Sequence, residues 1–296
     1  MNQAPCCYVG ARVALATRHG KERVIGRALR HGLGARLLHL PDLDTDQLGS
    51  FCGTIPRRGD ALTACRAKAE LALRHGGTGL AIASEGSFGP HPELPMLAVG
   101  LELMLFLDTE RQLSIAEQLL ARRTNFSHWQ ASARELAAPE WPLPFQDWLL
   151  RVGFPSHALL VRAASSAAPA TTVVKGIHSP EQLRRALLIA ASASANGQIC
   201  VETDMRAHCN PTRMASIRAL SFQMMRRLRQ HCPACQAPGW GLLKTIPGLP
   251  CAWCGAATPL TRRLLFGCSR CDYREEQPRS DRLTQADPGA CPRCNP

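Results

Sequence analysis

From residue 232 to 294 the chain carries four cysteine pairs of one spacing: Cys232-Pro-Ala-Cys235, Cys251-Ala-Trp-Cys254, Cys268-Ser-Arg-Cys271 and Cys291-Pro-Arg-Cys294. We call these segments knuckles 1 to 4. Two residues between the cysteines let both sulfurs reach one ion, and two knuckles complete a tetrahedral zinc site. The eight cysteines therefore predict two structural zinc ions in a module over residues 231–296. Spacing leaves three pairings open, namely sequential, nested and crossed, of which the first two close ribbons of familiar size.

The role of such a module is a separate question with three answers. Zinc ribbons often act as structural staples in segments too small to have a core of their own. They also contact other proteins, or present basic and aromatic fingertips to nucleic acid. The candidate fingertip residues in this module are Trp240, Trp253, Arg262, Arg263 and Phe266.

Length and composition suit two domains. The chain has 296 residues, of which 45% are hydrophobic, and this is enough to bury a substantial core. We predict an α/β domain over residues 1–230 before the zinc module. No apolar run reaches membrane-spanning length, and residues 1–5 lack the layout of a secretion signal, so the sequence predicts a cytoplasmic protein without membrane contact. Six other cysteines share no spacing and are interpreted as reduced thiols: Cys6, Cys7, Cys52, Cys65, Cys200 and Cys209.

The formal net charge of +12 invites a nucleic-acid interpretation. Each four-thiolate zinc site has a net charge of −2, so two such sites lower the charge of the chain to about +8. Among the 35 basic residues only Lys21, Lys68, Lys175 and Lys244 are lysines, and arginine suits phosphate. An arginine-, alanine- and leucine-rich sequence can equally reflect the nucleotide composition of its gene. The charge alone therefore assigns no partner.

Hydrophobic periodicity predicts alternating strands and helices before the zinc module. Strands are expected over 12–16, 35–40, 79–83, 156–162 and 198–203, helices over 21–31, 61–75 and 181–194, and a hairpin from 101–107 to 113–116. Loops are expected over 84–95 and 137–144, and a linker over 163–172. Asn210 predicts a helix cap, with Pro211 in the first turn of a helix that runs to about residue 231. This order predicts a mixed sheet with flanking helices.

The most unusual segment runs from Glu202 to Arg213 and reads ETDMRAHCNPTR. If the preceding strand continues to His208, alternation places Glu202, Asp204, Arg206 and His208 on one face. Ionisable groups lie in an apolar core only when they are paired or bind something. The two carboxylates suit a divalent ion, while Arg206, Arg213 and the amides of the next helix suit an anion. The alternative is a structural ion-pair network that anchors the last helix.

Two earlier segments carry polar side chains at strand ends. One is a glycine-rich loop that holds Glu85 after a buried strand, where α/β sheets place their chemistry. The other holds Thr17 and Lys21 at the opening of a helix, which suits phosphate. An ordinary turn and a solvated helix start explain these segments equally well. Lys68, judged by itself, is interpreted as a solvated helix residue.

Residues 202–214 and the four knuckles resemble a bacterial family classified as a domain of unknown function, over nearly the whole chain. That resemblance implies no established activity. The first 120 residues resemble, more weakly, the inosine-triphosphate pyrophosphatase and Maf superfamily, which cleaves non-standard nucleoside triphosphates with Mg²⁺. The matching positions are Thr17 and Lys21, Lys68 and Ala69, and Glu85 and Gly86. The sequence departs from that superfamily in having Arg18 in place of asparagine, a single carboxylate in the Glu85 motif, and a zinc tail.

Together these features predict a Mg²⁺-dependent hydrolase that acts on a nucleotide or another phosphate-bearing substrate. The candidate catalytic residues are Glu85, Asp204 and His208. The candidate phosphate-binding residues are Thr17, Lys21, Lys68, Arg206 and Arg213. The competing hypothesis is a non-catalytic zinc-ribbon protein that binds nucleic acid, and a third is a scaffold that grips a partner protein.

Overall fold

The computed structural model describes residues 6–48, 59–90, 96–121, 123–136, 138–164 and 173–296. The helices are α1 (Glu22–Leu33), α2 (Ala61–Gly76), α3 (Ala133–Leu136), α4 (Leu143–Val152), α5 (Pro180–Ala193) and α6 (Pro211–Leu228). The strands are β1 (Arg12–Ala16), β2 (Arg36–Leu40), β3 (Leu80–Pro90), β4 (Ala98–Asp108), β5 (Leu113–Ala121), β6 (His128–Ser132), β7 (Leu159–Ala163), β8 (Val174–Ile177), β9 (Gln198–Thr203), β10 (Gly241–Pro247), β11 (Thr261–Gly267) and β12 (Arg274–Pro278). The predicted fold class, α/β with a small cysteine-rich module, is confirmed. Cys52 and most of the predicted linker lie outside the described residues.

Sheet 1 has the strand order β2-β1-β3-β4-β5, with β1 parallel to both of its neighbours and the remaining pairs antiparallel. Alternate residues of β1 point to opposite faces. Val13 and Leu15 pack with α1 and α6, whereas Ala14 and Ala16 pack with α2. The chain therefore goes from β1 over one face to β2, and from β2 over the other face to β3. Strand order reverses between β1 and β3.

Strand β3 is longer than the sequence predicts. The glycines and prolines of residues 84–95 predict a loop, but β3 pairs with β4 without a break from Leu80 to Pro90. The prediction is wrong for residues 84–90 because this pairing satisfies the backbone through Gly86 and Gly89. Glu85 consequently lies within a strand.

Sheet 2 is antiparallel, with the strand order β6-β9-β7-β8. Helices α3, α4 and α5 cover one of its faces, and a stacked pair, Phe145 and Trp148, lies in the core between them. The sequence pattern did not predict β6, β8 or α4. The strands are short, and α4 begins in a proline-rich segment that was predicted to be a loop.

Helix α6 returns the chain to sheet 1 and lies beside α1. Gly32 permits this contact, because a Cβ atom there would lie 2.5 Å from the Cβ of Met225. The predicted cap is confirmed: the Asn210 side chain accepts the backbone N–H of Arg213, and Pro211 begins the helix. None of the described helices is long and apolar enough to cross a membrane.

Strand β9 ends at Thr203 rather than at His208. The Asp204 side chain accepts the backbone N–H of Arg206, and a single 3-10 turn follows. The predicted common face for Glu202, Asp204, Arg206 and His208 is therefore wrong, since Asp204 is buried and His208 is exposed. The physical reason is local, because an aspartate that binds the backbone two residues on competes with strand pairing.

The C-terminal module is a three-stranded antiparallel meander, β10-β11-β12, fixed to the edge of sheet 1. Arg227 of α6 donates to the carbonyl of Gly239 and forms an ion pair of 2.6 Å with Glu117 of β5. Gly239 fits closely, since a Cβ atom there would lie 2.3 Å from Cδ1 of Ile115. These contacts fix the first part of the module against β5.

Candidate functional site

The eight knuckle cysteines form two groups of four, and their pairing is crossed. Knuckles 1 and 3 bring together Cys232, Cys235, Cys268 and Cys271, whereas knuckles 2 and 4 bring together Cys251, Cys254, Cys291 and Cys294. We call the first group the proximal site, because it adjoins sheet 1, and the second the distal site. In each group the four sulfurs lie within 4.8 Å of one another.

The sulfur positions suit a tetrahedral metal ion. In the proximal site the Sγ atoms of Cys232 and Cys271 are 3.8 Å apart, and those of Cys235 and Cys268 are 3.6 Å apart. The corresponding distal distances are 3.9 and 3.7 Å. Metal–sulfur bonds of about 2.3 Å give tetrahedral edges of about 3.8 Å. Both sites can therefore hold a metal ion, and within the described residues no other group of three or more metal ligands occurs.

The meander explains the crossed pairing. Strand β10 runs from knuckle 1 to knuckle 2, β11 returns to knuckle 3, and β12 runs out again towards knuckle 4. Odd and even knuckles thus lie at opposite ends of the sheet. A strand of seven residues such as β10 spans about 23 Å. Consecutive knuckles are therefore too far apart to share one ion.

Backbone N–H groups lower the pKa of one cysteine in each site. The N–H groups of Arg270 and Cys271 point to the Cys268 sulfur at 3.2 and 3.4 Å. Burial raises the pKa of Cys268, but these hydrogen bonds outweigh it and lower the pKa to about 7. The N–H of Cys294 has the same effect on Cys291, whose pKa is also lowered to about 7. The thiolate is the form that binds metal, so these hydrogen bonds favour the binding form of Cys268 and Cys291, whereas the pKa values of Cys271 and Cys294 are raised to about 12.

The two sites differ in their surroundings. At the proximal site Trp240 is buried and packs against Phe266 and Tyr273, with ring centroids 6.4 and 5.4 Å apart. At the distal site the Trp253 side chain is 79% exposed. Trp240 therefore belongs to the interior of the module, and the partly buried Phe266 packs against it. Trp253 and the two predicted fingertip arginines of β11 are exposed.

A polar pocket opens at the carboxyl end of β1 and beside the middle of β3, where the strand order of sheet 1 reverses. Open α/β sheets bind ligands at such switch points. The lining residues that the sequence predicted are Thr17, Lys21, Lys68, Glu85 and Arg213, and those that it did not include Thr45 and Ser84. They come from the β1–α1 loop, α2, β3, α6 and the segment after β2. The structure thus brings five of the eight predicted non-cysteine residues to one place.

Lys21 places a buried amine in this switch-point pocket. Its Nζ donates to the carbonyl of Ser84 at 2.7 Å and lies 3.4 Å from the Ser84 hydroxyl. Burial, with the charge of Arg213, lowers the pKa of Lys21 to about 8, although Glu85 and Glu102 oppose the shift. The amine is therefore mostly protonated at pH 7. An anion that contacts it would offset the cost of burying its charge.

Lys68 and Glu85 form an ion pair of 2.6 Å in the same pocket, and both side chains are largely buried. The interpretation of Lys68 as a solvated helix residue is wrong. Helix α2 packs Cys65 and Ala69 on sheet 1. Lys68 lies beside this face of the helix and reaches Glu85 of β3.

Arg213 enters the pocket from the first turn of α6 and is paired with Glu102 of β4. The distance from Arg213 Nε to Glu102 Oε1 is 2.6 Å, both side chains are buried, and Arg213 also donates to the carbonyl of Met205. Gly86 leaves the space for this pair, because a Cβ atom there would lie 2.5 Å from the Arg213 guanidinium and 2.8 Å from the carboxylate. The sequence pattern did not predict Glu102 as a site residue. The feature that could have indicated it is a lone charge within an apolar strand.

Asp204 and Arg206 do not line this pocket. The Asp204 carboxylate accepts hydrogen bonds from the Arg206 backbone and guanidinium and from the backbone N–H of Gly176. Burial raises the pKa of Asp204, but Arg206 holds the pKa below its usual range. Glu202 pairs with Arg162 at 2.6 Å. These contacts correspond to the ion-pair network that the sequence offered as the alternative.

His208 lies between the pocket and this network. Its ring meets the His19 ring edge-on, with centroids 5.3 Å apart. Gly20, with φ of 73°, lets the two segments approach, since a Cβ atom there would lie 3.3 Å from the Cβ of His208. Burial and the charge of Lys21 lower the pKa of His19 to about 3, and burial and Arg206 lower that of His208. Both rings are therefore neutral at pH 7 and add no positive charge to the pocket.

The fold and its sites define an α/β protein with two four-cysteine sites and a polar switch-point pocket. The chain belongs to the family described as "Domain of unknown function (DUF6671)", whose model matches residues 68–296. This finding confirms the resemblance carried by residues 202–214 and the knuckles. No curated protein and no solved structure matches the chain. The resemblance to the inosine-triphosphate pyrophosphatase and Maf superfamily is not confirmed and stays a prediction.

Proposed function

We propose that the protein binds the phosphate of a nucleotide or related ester in the switch-point pocket and hydrolyses it. The buried Lys21 amine carries this proposal. Its described contacts are with uncharged Ser84 atoms, and it lies near a second lysine and Arg213. A phosphate group would neutralise this positive charge and accept hydrogen bonds from Thr17.

Glu85 supplies the carboxylate that hydrolysis needs. A bound phosphate competes for the Lys68 ammonium and leaves Glu85 to take a proton from the attacking water. The water oxygen then bonds to phosphorus while the bond from phosphorus to the leaving oxygen breaks. Mg²⁺ is usually bound by one or two carboxylates together with substrate phosphates, so Glu85 would hold an ion that arrives with the substrate. That ion would neutralise charge on the phosphate oxygens.

The metal proposed for both cysteine sites is zinc. Four thiolates in tetrahedral positions select zinc or an iron–sulfur centre, and four protein ligands on one ion leave no open position for catalysis. A structural role follows from this closed ligand set. Elemental analysis should find about two zinc ions per chain. A protein purified under reducing conditions that contains no zinc, or contains iron and sulfide, would contradict this assignment.

The hydrolase proposal is tested by a screen of standard, deaminated and oxidised nucleoside triphosphates with and without Mg²⁺. We expect Mg²⁺-dependent release of pyrophosphate or phosphate, which Glu85→Gln lowers by at least about 100-fold. Calorimetry should show that Lys21→Met loses pyrophosphate binding, whereas Lys244→Met, on an exposed strand, does not. Binding without any turnover would make the protein a phosphate receptor rather than an enzyme, and absent binding would refute the phosphate site.

The charge on Lys21 also sets a pH dependence. The protonated amine binds an anion, and its pKa is about 8 in the free protein. Affinity for pyrophosphate should therefore fall as the pH rises through about 8. Calorimetric titrations across pH 6 to 9.5 measure this. The same fall in Lys21→Met would show that another group controls binding.

A second candidate function is nucleic-acid contact by the distal site. The exposed Trp253 ring favours it, because aromatic side chains on a basic surface stack with unpaired bases. Trp253→Ala should then weaken binding of a single-stranded oligonucleotide by at least about fivefold. Unchanged affinity would leave the distal site with a structural role.

A further inference from the structure

A groove rich in arginine runs along the outer side of α1 beside the edge strand β2. Its basic lining residues are Arg23, Arg27, Arg30 and Arg36, and it encloses about 550 Å³. All four side chains are exposed. Glu22 is the one acidic residue in its lining.

The arginines form a row, and the surface between them is recessed. Positions 23, 27 and 30 share one face of α1 and span about 10.5 Å along its axis. Gly26 lies between them and packs on β2, where a Cβ atom would be 3.1 Å from the Leu37 side chain. The absence of a side chain there keeps the floor of the groove open between basic walls.

Acidic partners are scarce along this row, whereas several arginines elsewhere form close ion pairs. Arg162, for example, pairs with Glu202 at 2.6 Å. In the groove Arg23 reaches Glu22 only at 3.8 Å, and the other three arginines have no ion pair or side-chain hydrogen bond with any residue that the structure describes. Like charges held together on one surface repel each other, and a polyanion relieves that repulsion.

We propose that this groove binds the phosphate backbone of a nucleic-acid strand. The phosphates of one strand recur about every 3.4 Å along the axis of a duplex, so the row on α1, laid parallel to that axis, covers about three of them. Guanidinium groups bind phosphate oxygens in a two-pronged geometry. None of the lining residues is aromatic, so the groove offers no platform for bases and contacts the backbone without reading sequence. This surface is separate from the switch-point pocket, and its function does not depend on hydrolysis.

Fluorescence anisotropy with a labelled 20-nucleotide RNA, single-stranded and as a duplex, tests the groove between 50 and 200 mM KCl. The test variant combines Arg23→Gln, Arg27→Gln and Arg30→Gln. Removing about three phosphate contacts should lower the affinity at least about tenfold at 100 mM salt and reduce the slope of log K against log salt by about 2. Unchanged binding in this variant would overturn the proposal. Arg27→Glu alone provides a smaller change of the same sign if the triple variant does not fold.

A matched control removes the same charge elsewhere. Arg134→Gln, Arg151→Gln and Arg185→Gln replace exposed arginines on the helices of sheet 2. We expect less than about a twofold effect, because these side chains do not form one row. An equal loss in both triple variants would show attraction to net charge only and overturn the site. Binding of the wild type to vesicles of anionic lipid, without binding to RNA, would overturn it in favour of a membrane surface. Retained RNA binding in Lys21→Met would separate this result from the phosphate pocket.

Discussion

The proximal and distal cysteine sites have the same ligands and the same sulfur geometry, yet they occupy different environments. The proximal site adjoins a small aromatic core around Trp240 and is fixed to sheet 1 by Arg227. The distal site lies at the far end of the meander, where Cys254 and Trp253 are exposed. Ligand spacing therefore predicts which residues can bind metal, and we expect the surroundings to decide how far the loss of a bound metal would spread.

The largest expected difference follows from removing one ligand at each site. Cys268→Ser and Cys291→Ser replace equivalent buried cysteines, and each should lower the zinc content from about two ions to about one. Because metal binding supplies folding free energy, Cys268→Ser should also expose β5 and the end of α6, whereas Cys291→Ser should loosen only the distal end. Hydrogen exchange with mass spectrometry reads this out. If the backbone amides lose the same protection from exchange in both variants, the two sites do not differ in how far the loss of metal spreads.

A smaller difference is expected for the two tryptophans. Trp240→Ala removes a buried ring and should lower the free energy of unfolding by about 3–5 kcal/mol. Trp253→Ala removes an exposed ring and should change it by less than about 0.5 kcal/mol. Denaturant titration followed by circular dichroism measures both values. A large loss in Trp253→Ala would mean that the distal ring is covered in solution.

The smallest contrast compares the ion pair that fixes the module to sheet 1 with an ion pair inside the module. Arg227 is largely buried, pairs with Glu117 and also donates to backbone carbonyls, so Arg227→Met should cost about 2–3 kcal/mol. Arg263 and Glu276 are each about half exposed, so Arg263→Met should cost less than about 1 kcal/mol. Thermal unfolding at matched ionic strength tests the pair of variants. A loss of similar size in both would indicate that Arg227 does not hold the module to sheet 1.

Local signals in the sequence predicted local structure well. Asn210 and Pro211 predicted the start of α6. The knuckles predicted the candidate metal ligands as pairs of cysteines separated by two residues. Each of these features depends on residues within four positions of one another, where backbone geometry leaves few choices. The loop residues Thr17 and Lys21, which the sequence offers for phosphate, both line the switch-point pocket.

The same local signals did not predict pairing between residues that are distant in sequence. The crossed knuckles follow from strand order, which spacing does not contain. Strand β3 continues past Gly86 because β4 pairs with it, and Glu102 is buried because Arg213, 111 residues away, pairs with it. Asp204, which the sequence offers as a metal ligand, accepts a local hydrogen bond from the Arg206 N–H that turns the chain, and its role in a site stays a prediction. In each case a partner distant in sequence, or a competing local contact, decided the outcome.

The crossed pairing also sets an order of events during synthesis. The proximal quartet is complete once Cys271 has been synthesised, but the distal quartet waits for Cys291 and Cys294. Chain elongation adds about 5–20 residues per second, so an interval on the order of one to five seconds separates the two completions. The ligands beside sheet 1 therefore all exist before those of the outer end, where Cys251 and Cys254 are made well before their partners.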